Sequence, residues 1–179
     1  MSLLASESPY ILNEKGYPTI YGSFAFGTAD QIRFTPDAIL VVRRRDASQA
    51  VLFYLEVDMG TESLASPDPL TPDVQTKVRN YKACFRSEHY KRHQKAFGAT
   101  LNGFRLLFLT ADTSRLASLC RLVLQGAPAE FIWLTDRASL ESRGVWAPIW
   151  IPGGDTAGSR RSILGSMAPN PAPVPSDVL

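Results

Sequence analysis

The chain has 179 residues, of which 45% are apolar and 20% charged, with a formal net charge of +2. That is one domain's length with enough apolar surface for a substantial core, and no apolar run approaches the ~20 residues of a membrane span. The first ten residues hold no basic stretch followed by a long apolar one, so no secretory signal is expected, and Cys84 and Cys120 fit no metal-ligand spacing, as free thiols of a reducing cytoplasm would.

In chain order, residues 1–16 are mixed and read as a flexible N-terminus. Tyr17 to Phe26 is aromatic with an internal glycine, which suits a bent or edge strand. Phe34 to Val42 and Val51 to Asp58 are apolar runs rich in β-branched and aromatic residues, joined by a polar link from Arg43 to Ala50, and together they predict a β-hairpin. Pro67, Pro69 and Pro72 exclude a regular element between Gly60 and Asp73. Thr71-Pro72-Asp73 then predicts a helix start, with Val74, Val78, Tyr81 and Phe85 as its core-facing stripe, an end near residue 87 and a basic continuation to Lys95. Phe104 to Thr110 predicts a buried strand, Thr113 to Gln125 a second helix stopped by Gly126, and Phe131 to Leu134 and Val145 to Ile151 two more strands. From 153 to 179 the chain is rich in Gly, Ser, Ala and Pro, the composition of a disordered tail able to bind a protein partner. The order of elements implies an α/β sandwich with a mixed central sheet flanked by helices, spanning 17–152.

The hairpin gathers carboxylates. Antiparallel pairing brings Asp37, at the start of one strand, close to Glu56 and Asp58 at the end of the other, and residues i and i+2 of a strand share a face. Three converging carboxylates repel each other unless they are protonated or bridged by a cation, and a hard divalent metal is the ordinary bridge. Carboxylates at a strand end that simply face water are the other reading.

Charge is uneven along the chain. Residues 1–76 hold five basic and ten acidic residues, whereas residues 77–97 hold seven basic ones (Lys77, Arg79, Lys82, Arg86, Lys91, Arg92 and Lys95) against Glu88 alone. An acidic hairpin followed by a basic segment suits a phosphate-bearing polymer lying beside a metal site, with Arg79, Lys82, Arg86, Lys91, Arg92 and Lys95 as nucleic-acid contacts. His89 and His93 are four apart and read as surface or phosphate-contact residues, or as half of a zinc site. Arg43, Arg44 and Arg45 read as a solvated turn or a DNA-backbone contact.

Pro36-Asp37 and the strand ending in Glu56 resemble the PD-(D/E)XK nuclease superfamily. The longer string Leu55-Glu56-Val57-Asp58-Met59-Gly60-Thr61-Glu62, followed by Lys77 and Tyr81, looks like the replication-relaxation family of plasmid and mobile-element proteins, over roughly residues 34–146. The resemblance implies a restriction-endonuclease-like three-layer sandwich, DNA as partner, and Mg2+ or Mn2+ held by Asp37, Glu56 and Asp58. Asp58 stands where the superfamily has its lysine, and a carboxylate cannot supply that positive charge. Lys77 is expected to replace it from the following helix, with Tyr81 one turn later on the same face. Arg115 sits where the family often has an arginine, as a structural ion pair or a nucleic-acid contact. Thr61 and Glu62 belong to the same string, with turn capping, an arginine partner or a share of the metal shell open to Glu62. The family commonly carries a winged-helix domain ahead of this one, and the 33 residues before Phe34 are too few for it. The function implied is that of a DNA-binding, nuclease-like domain in plasmid or mobile-element replication or transfer, with metal-dependent nicking as its reaction. The alternative is a catalytically inactive regulatory or protein-docking module on the same scaffold.

Overall fold

The structure, a computed structural model, describes residues 32–44, 48–67 and 73–165, together with the backbone of four short strands before them, β1 (Leu4–Glu7), β2 (Ile11–Leu12), β3 (Pro18–Thr19) and β4 (Phe24–Phe26). The strand predicted over 17–26 thus appears as two short pieces in different two-stranded ribbons. β3 pairs with β2, and β4 pairs with β5 (Ile32–Phe34).

The predicted hairpin is present with a break. Its first run divides into β5 and β6 (Ala38–Arg44) at Pro36, which has no N–H to offer a ladder, and pairing resumes with the Asp37 amide on the Leu55 carbonyl at 2.9 Å. β7 (Gln49–Asp58) runs antiparallel to β6 with Ala38 opposite Leu55 and Val42 opposite Val51. The link between them is shorter than expected because both strands extend into it, and residues 45–47 lie outside the described residues.

Beyond β7 the chain crosses over twice. Helix α1 (Val74–Arg86) leads, through a 3-10 turn (His89–His93) and the short α2 (Gln94–Phe97), to β8 (Thr100–Thr110), parallel to β7. Helix α3 (Thr113–Val123) leads to β9 (Ile132–Asp136), parallel to β8. Asp73 proves to be the cap of α1, accepting the Thr76 amide at 2.6 Å, and Thr71 and Pro72 lie outside the described residues. A short helix α4 (Arg137–Arg143), capped by Asp136, was not expected, and of the strand predicted over 145–151 only its end is strand, in β10 (Ile151–Pro152). Six strands make one mixed sheet in the order β1-β6-β7-β8-β9-β10.

Successive crossovers of one hand put α1 and α3 on the same face. There Val74, Val78, Tyr81, Leu116 and Leu119 pack against Ile39, Leu52, Tyr54, Leu106, Phe108 and Ile132 in the larger core. The opposite face is covered more thinly. Phe53, Leu107 and Trp133 meet Ile149, Trp150 and Ile163, with Leu140 of α4 alongside.

The packed structure continues past the boundary expected at residue 152. Trp150 and Arg161 exchange backbone hydrogen bonds of 2.8 and 3.1 Å, and Ile163 is buried. Gly154 shows why glycine is needed here: at φ +79° it lies so close to α3 that a Cβ would meet the Cys120 carbonyl oxygen at 2.5 Å. Residues 166–179, with the recurring prolines, lie outside the described residues.

Candidate functional site

Glu56 and Asp58 are at the C-terminal end of β7, on the face that carries α1 and α3, and both are buried. Burying a carboxylate is costly unless it is paired, and each has partners. Tyr81 donates its hydroxyl to Glu56 Oε1 at 2.5 Å, and Lys77 Nζ stands 3.4 Å from Oε2. The predicted i, i+4 pair on α1 therefore converges on Glu56. Lys77 also meets Glu62 Oε1 at 2.9 Å, so one ammonium bridges the strand end and the loop that follows it.

Electrostatics at Glu56 is set by a contest. The Tyr81 ring lies 4.4 Å from the Phe34 ring and 5.9 Å from Tyr54, centroid to centroid, in an apolar aromatic cluster. Desolvation pushes the Glu56 carboxyl up to about 7, against the opposing pull of the Tyr81 hydrogen bond and the Lys77 charge. Burial and the Glu56 charge raise the Tyr81 phenol well above its usual value. Burial works against the Lys77 ammonium, yet the hydrogen bond to Glu62 and the charges of Glu56 and Glu62 outweigh it and hold it above its ordinary range.

Asp58 is held by Arg115. The guanidinium grips both carboxylate oxygens, Nε to Oδ2 at 2.7 Å and Nη2 to Oδ1 at 3.2 Å, while Nη2 also donates to the Glu62 carbonyl at 2.5 Å. The Gly60 amide donates to Asp58 Oδ1 at 2.9 Å. Of the two roles open to Arg115 in the sequence, the structural ion pair is the one formed.

Asp37, near the end of β7 as expected, acts on this network through its charge, which adds to the upward push on Glu56 and Tyr81. Its side chain is exposed and its Oδ2 accepts the Val57 amide at 2.7 Å, which caps the start of the β6–β7 pairing. Among the described residues no group of three or more His, Cys, Asp or Glu is placed to hold a metal ion. The expected ligands Asp37, Glu56 and Asp58 face a backbone amide, a phenol with an ammonium, and a guanidinium respectively. As arranged, this donor set does not fit Mg2+ or Mn2+, because both oxygens of Glu56 and both of Asp58 already have protein donors and Asp37 alone is left with an oxygen to offer. Between these groups lies a small pocket of about 30 Å³, lined by Glu56, Asp58, Thr61, Glu62 and Lys77 among others. It has room for water.

The basic segment divides. Lys82 is buried, with Nζ on the Val123, Gln125 and Gly126 carbonyls at the end of α3, and Arg86 donates to the Ala127 carbonyl. Both, expected at nucleic acid, tie α1 to the C-terminal end of α3, where carbonyls lack helical partners. Lys91 pairs with Glu88 at 2.6 Å. Arg79, Lys91, Arg92 and Lys95 are exposed. His89 is exposed and His93 buried beside Tyr54 and Phe97, so the two do not face a common ligand. A 3-10 turn has three residues per turn, which puts i and i+4 on different sides.

These relationships define an α/β domain with a mixed open sheet, whose central strand ends in two buried carboxylates closed off by a tyrosine, a lysine and an arginine. Residues 13–100 match the model of the replication-relaxation family, a span just under half of the chain that contains Asp37, Glu56, Asp58, Glu62, Lys77 and Tyr81 but not Arg115. No curated protein and no solved structure matches the chain. No helix among the described residues is long and apolar enough to cross a membrane.

Proposed function

We propose that this chain is a replication-relaxation protein whose domain binds DNA during replication or transfer of a plasmid or mobile element, on a restriction-endonuclease-like scaffold whose acidic centre is charge-compensated. The match over residues 13–100 supports the replication role. The observation that carries the compensated centre is the two-pronged Arg115–Asp58 pair, at the position where the superfamily this sequence resembles has a lysine. A largely buried arginine locked onto a carboxylate, with Glu56 taken by Tyr81 and Lys77, is an arrangement that holds a strand end together. Exposed Arg79, Arg92 and Lys95 supply the positive surface for phosphate. The test is salt-dependent binding of duplex DNA, whose log–log slope reports phosphates neutralised at about −0.9 each.

One observation favours a second reading, metal-dependent nicking. Lys77 is aimed at Glu56, as a substitute for the missing lysine must be. In that reading Arg115 has to release Asp58 before a metal ion takes its place. Cleavage of supercoiled plasmid in Mg2+ or Mn2+, lost on chelation, distinguishes the two.

A further inference from the structure

The opposite face of the sheet carries a second charged feature. Arg105 on β8 sits opposite Phe53 of β7, its guanidinium carbon 4.3 Å from the centre of the Trp133 ring. Its Nη1 donates to the Ile163 carbonyl at 2.8 Å. This guanidinium is thus fixed in orientation by a ring and a backbone oxygen, neither of which neutralises it. Two residues before that carbonyl is Arg161, whose backbone is locked to Trp150 and whose side chain is exposed. Arg160 reaches the Ile149 carbonyl at 3.3 Å and the Ser139 hydroxyl at 3.4 Å.

Among the described residues none of these three arginines meets a carboxylate in an ion pair. Nearby acids are engaged elsewhere: Asp136 caps α4, Glu141 pairs with Arg137, and Asp155 accepts the Ala157 and Gly158 amides. Burial, then the charge of Arg161, hold the Arg105 guanidinium below its usual value. An anion relieves that repulsion, and the planar fork of arginine matches the oxygens of a phosphate.

We propose that Arg105, Arg160 and Arg161 form a second phosphate-binding surface, which takes the sugar-phosphate backbone of DNA on the sheet face opposite Glu56 and Asp58. This rests on the DNA-binding reading and gives it a contact outside the segment of residues 77–97. The experiment is a salt titration of a fluorescein-labelled DNA duplex by anisotropy, with wild type, Arg161→Glu, Arg161→Lys and, on α1, Arg79→Glu. Arg161→Glu is expected to weaken binding at least about tenfold at low salt and to make the log–log slope shallower by about 0.9 for each phosphate no longer neutralised. Arg161→Lys keeps most of the affinity, and Arg79→Glu produces a separate loss. Arg161→Ala takes the place of the charge reversal should that variant fail to fold. Wild-type affinity and slope in a folded Arg161→Glu or Arg161→Ala, alongside a loss in Arg79→Glu, overturns the second surface and leaves the DNA-binding reading standing. No DNA binding by wild type overturns both.

Discussion

Arg115 and Asp58, 57 residues apart in sequence, form a two-pronged ion pair that fastens the start of α3 to the end of β7. Both side chains are largely buried, at 16% and 5% exposure, and removing one partner leaves the other as an uncompensated buried charge. Arg115→Ala is therefore expected to cost about 3–5 kcal/mol. For a chain of this length that lowers the melting temperature by roughly 10 °C. Differential scanning calorimetry checks it, and a shift of a degree or two places Arg115 outside the structural network. The double replacement Arg115→Met with Asp58→Leu should recover much of the loss, because it removes both charges together.

Asp58→Lys separates the two readings of that position. It restores the residue of the nuclease superfamily, and were Asp58 merely standing in for a catalytic lysine it would be tolerated. Here it places an ammonium against Arg115, so the expected outcome is a domain destabilised at least as much as by Arg115→Ala. Adding Arg115→Asp should rescue it by reversing the pair. Chemical denaturation of the single and double variants measures the coupling directly.

Glu56 gives the site a pH signature. Its folded-state value near 7 stands above the 4.5 of a free carboxyl, so between those values the folded protein binds more protons than the unfolded chain. Its contribution is thus fully present below pH ~4.5 and is lost as pH rises through ~7, by about 3 kcal/mol in all. Wild-type stability minus that of Glu56→Gln should fall across this window. Parallel pH profiles for the two proteins would mean that Glu56 titrates normally and that its burial carries no such strain.

The sequence made the sheet legible where its signal was local. The β-branched and aromatic runs around Glu56, the stripe Val74, Val78, Tyr81 on α1, and the apolar run of β8 each bury the face that their spacing predicts. It also put Lys77 and Tyr81 on one helix face, because an i, i+4 pair shares a face whatever the tertiary context, while the placing of that face at Glu56 came from the resemblance to the nuclease superfamily. What stayed hidden was long-range. Nothing near Asp58 announces Arg115, and nothing in the run of positive charge from 77 to 97 shows that Lys82 and Arg86 turn inward to the end of α3. Composition also misled at 153–165, where Gly and Ser allow close packing against α3 and read the same as a loose tail.

That inward turn yields a prediction of its own. Lys82→Ala leaves carbonyls of Val123, Gln125 and Gly126 without their donor, and should destabilise the fold by roughly 1–3 kcal/mol. When folded it should bind DNA with nearly the wild-type salt slope. Arg79→Ala with Lys95→Ala should do the reverse, holding stability while weakening binding and flattening the slope by about 0.9 for each phosphate left unneutralised. Anisotropy and thermal melts on the same preparations read both quantities. Equal loss of affinity in the two sets removes the division between anchoring and binding residues.

The proposed function is that of a DNA-binding domain whose acidic centre is closed by its own cations. The most direct measurement places supercoiled plasmid with wild-type protein in Mg2+ or Mn2+, with a chelated control, and follows nicking on a gel at protein concentrations that saturate duplex binding. Salt-sensitive binding is expected, with no more nicked circle than in the control, for wild type and for Glu56→Gln alike. Metal-dependent nicking by the wild type that disappears in Glu56→Gln and in Lys77→Ala would contradict it.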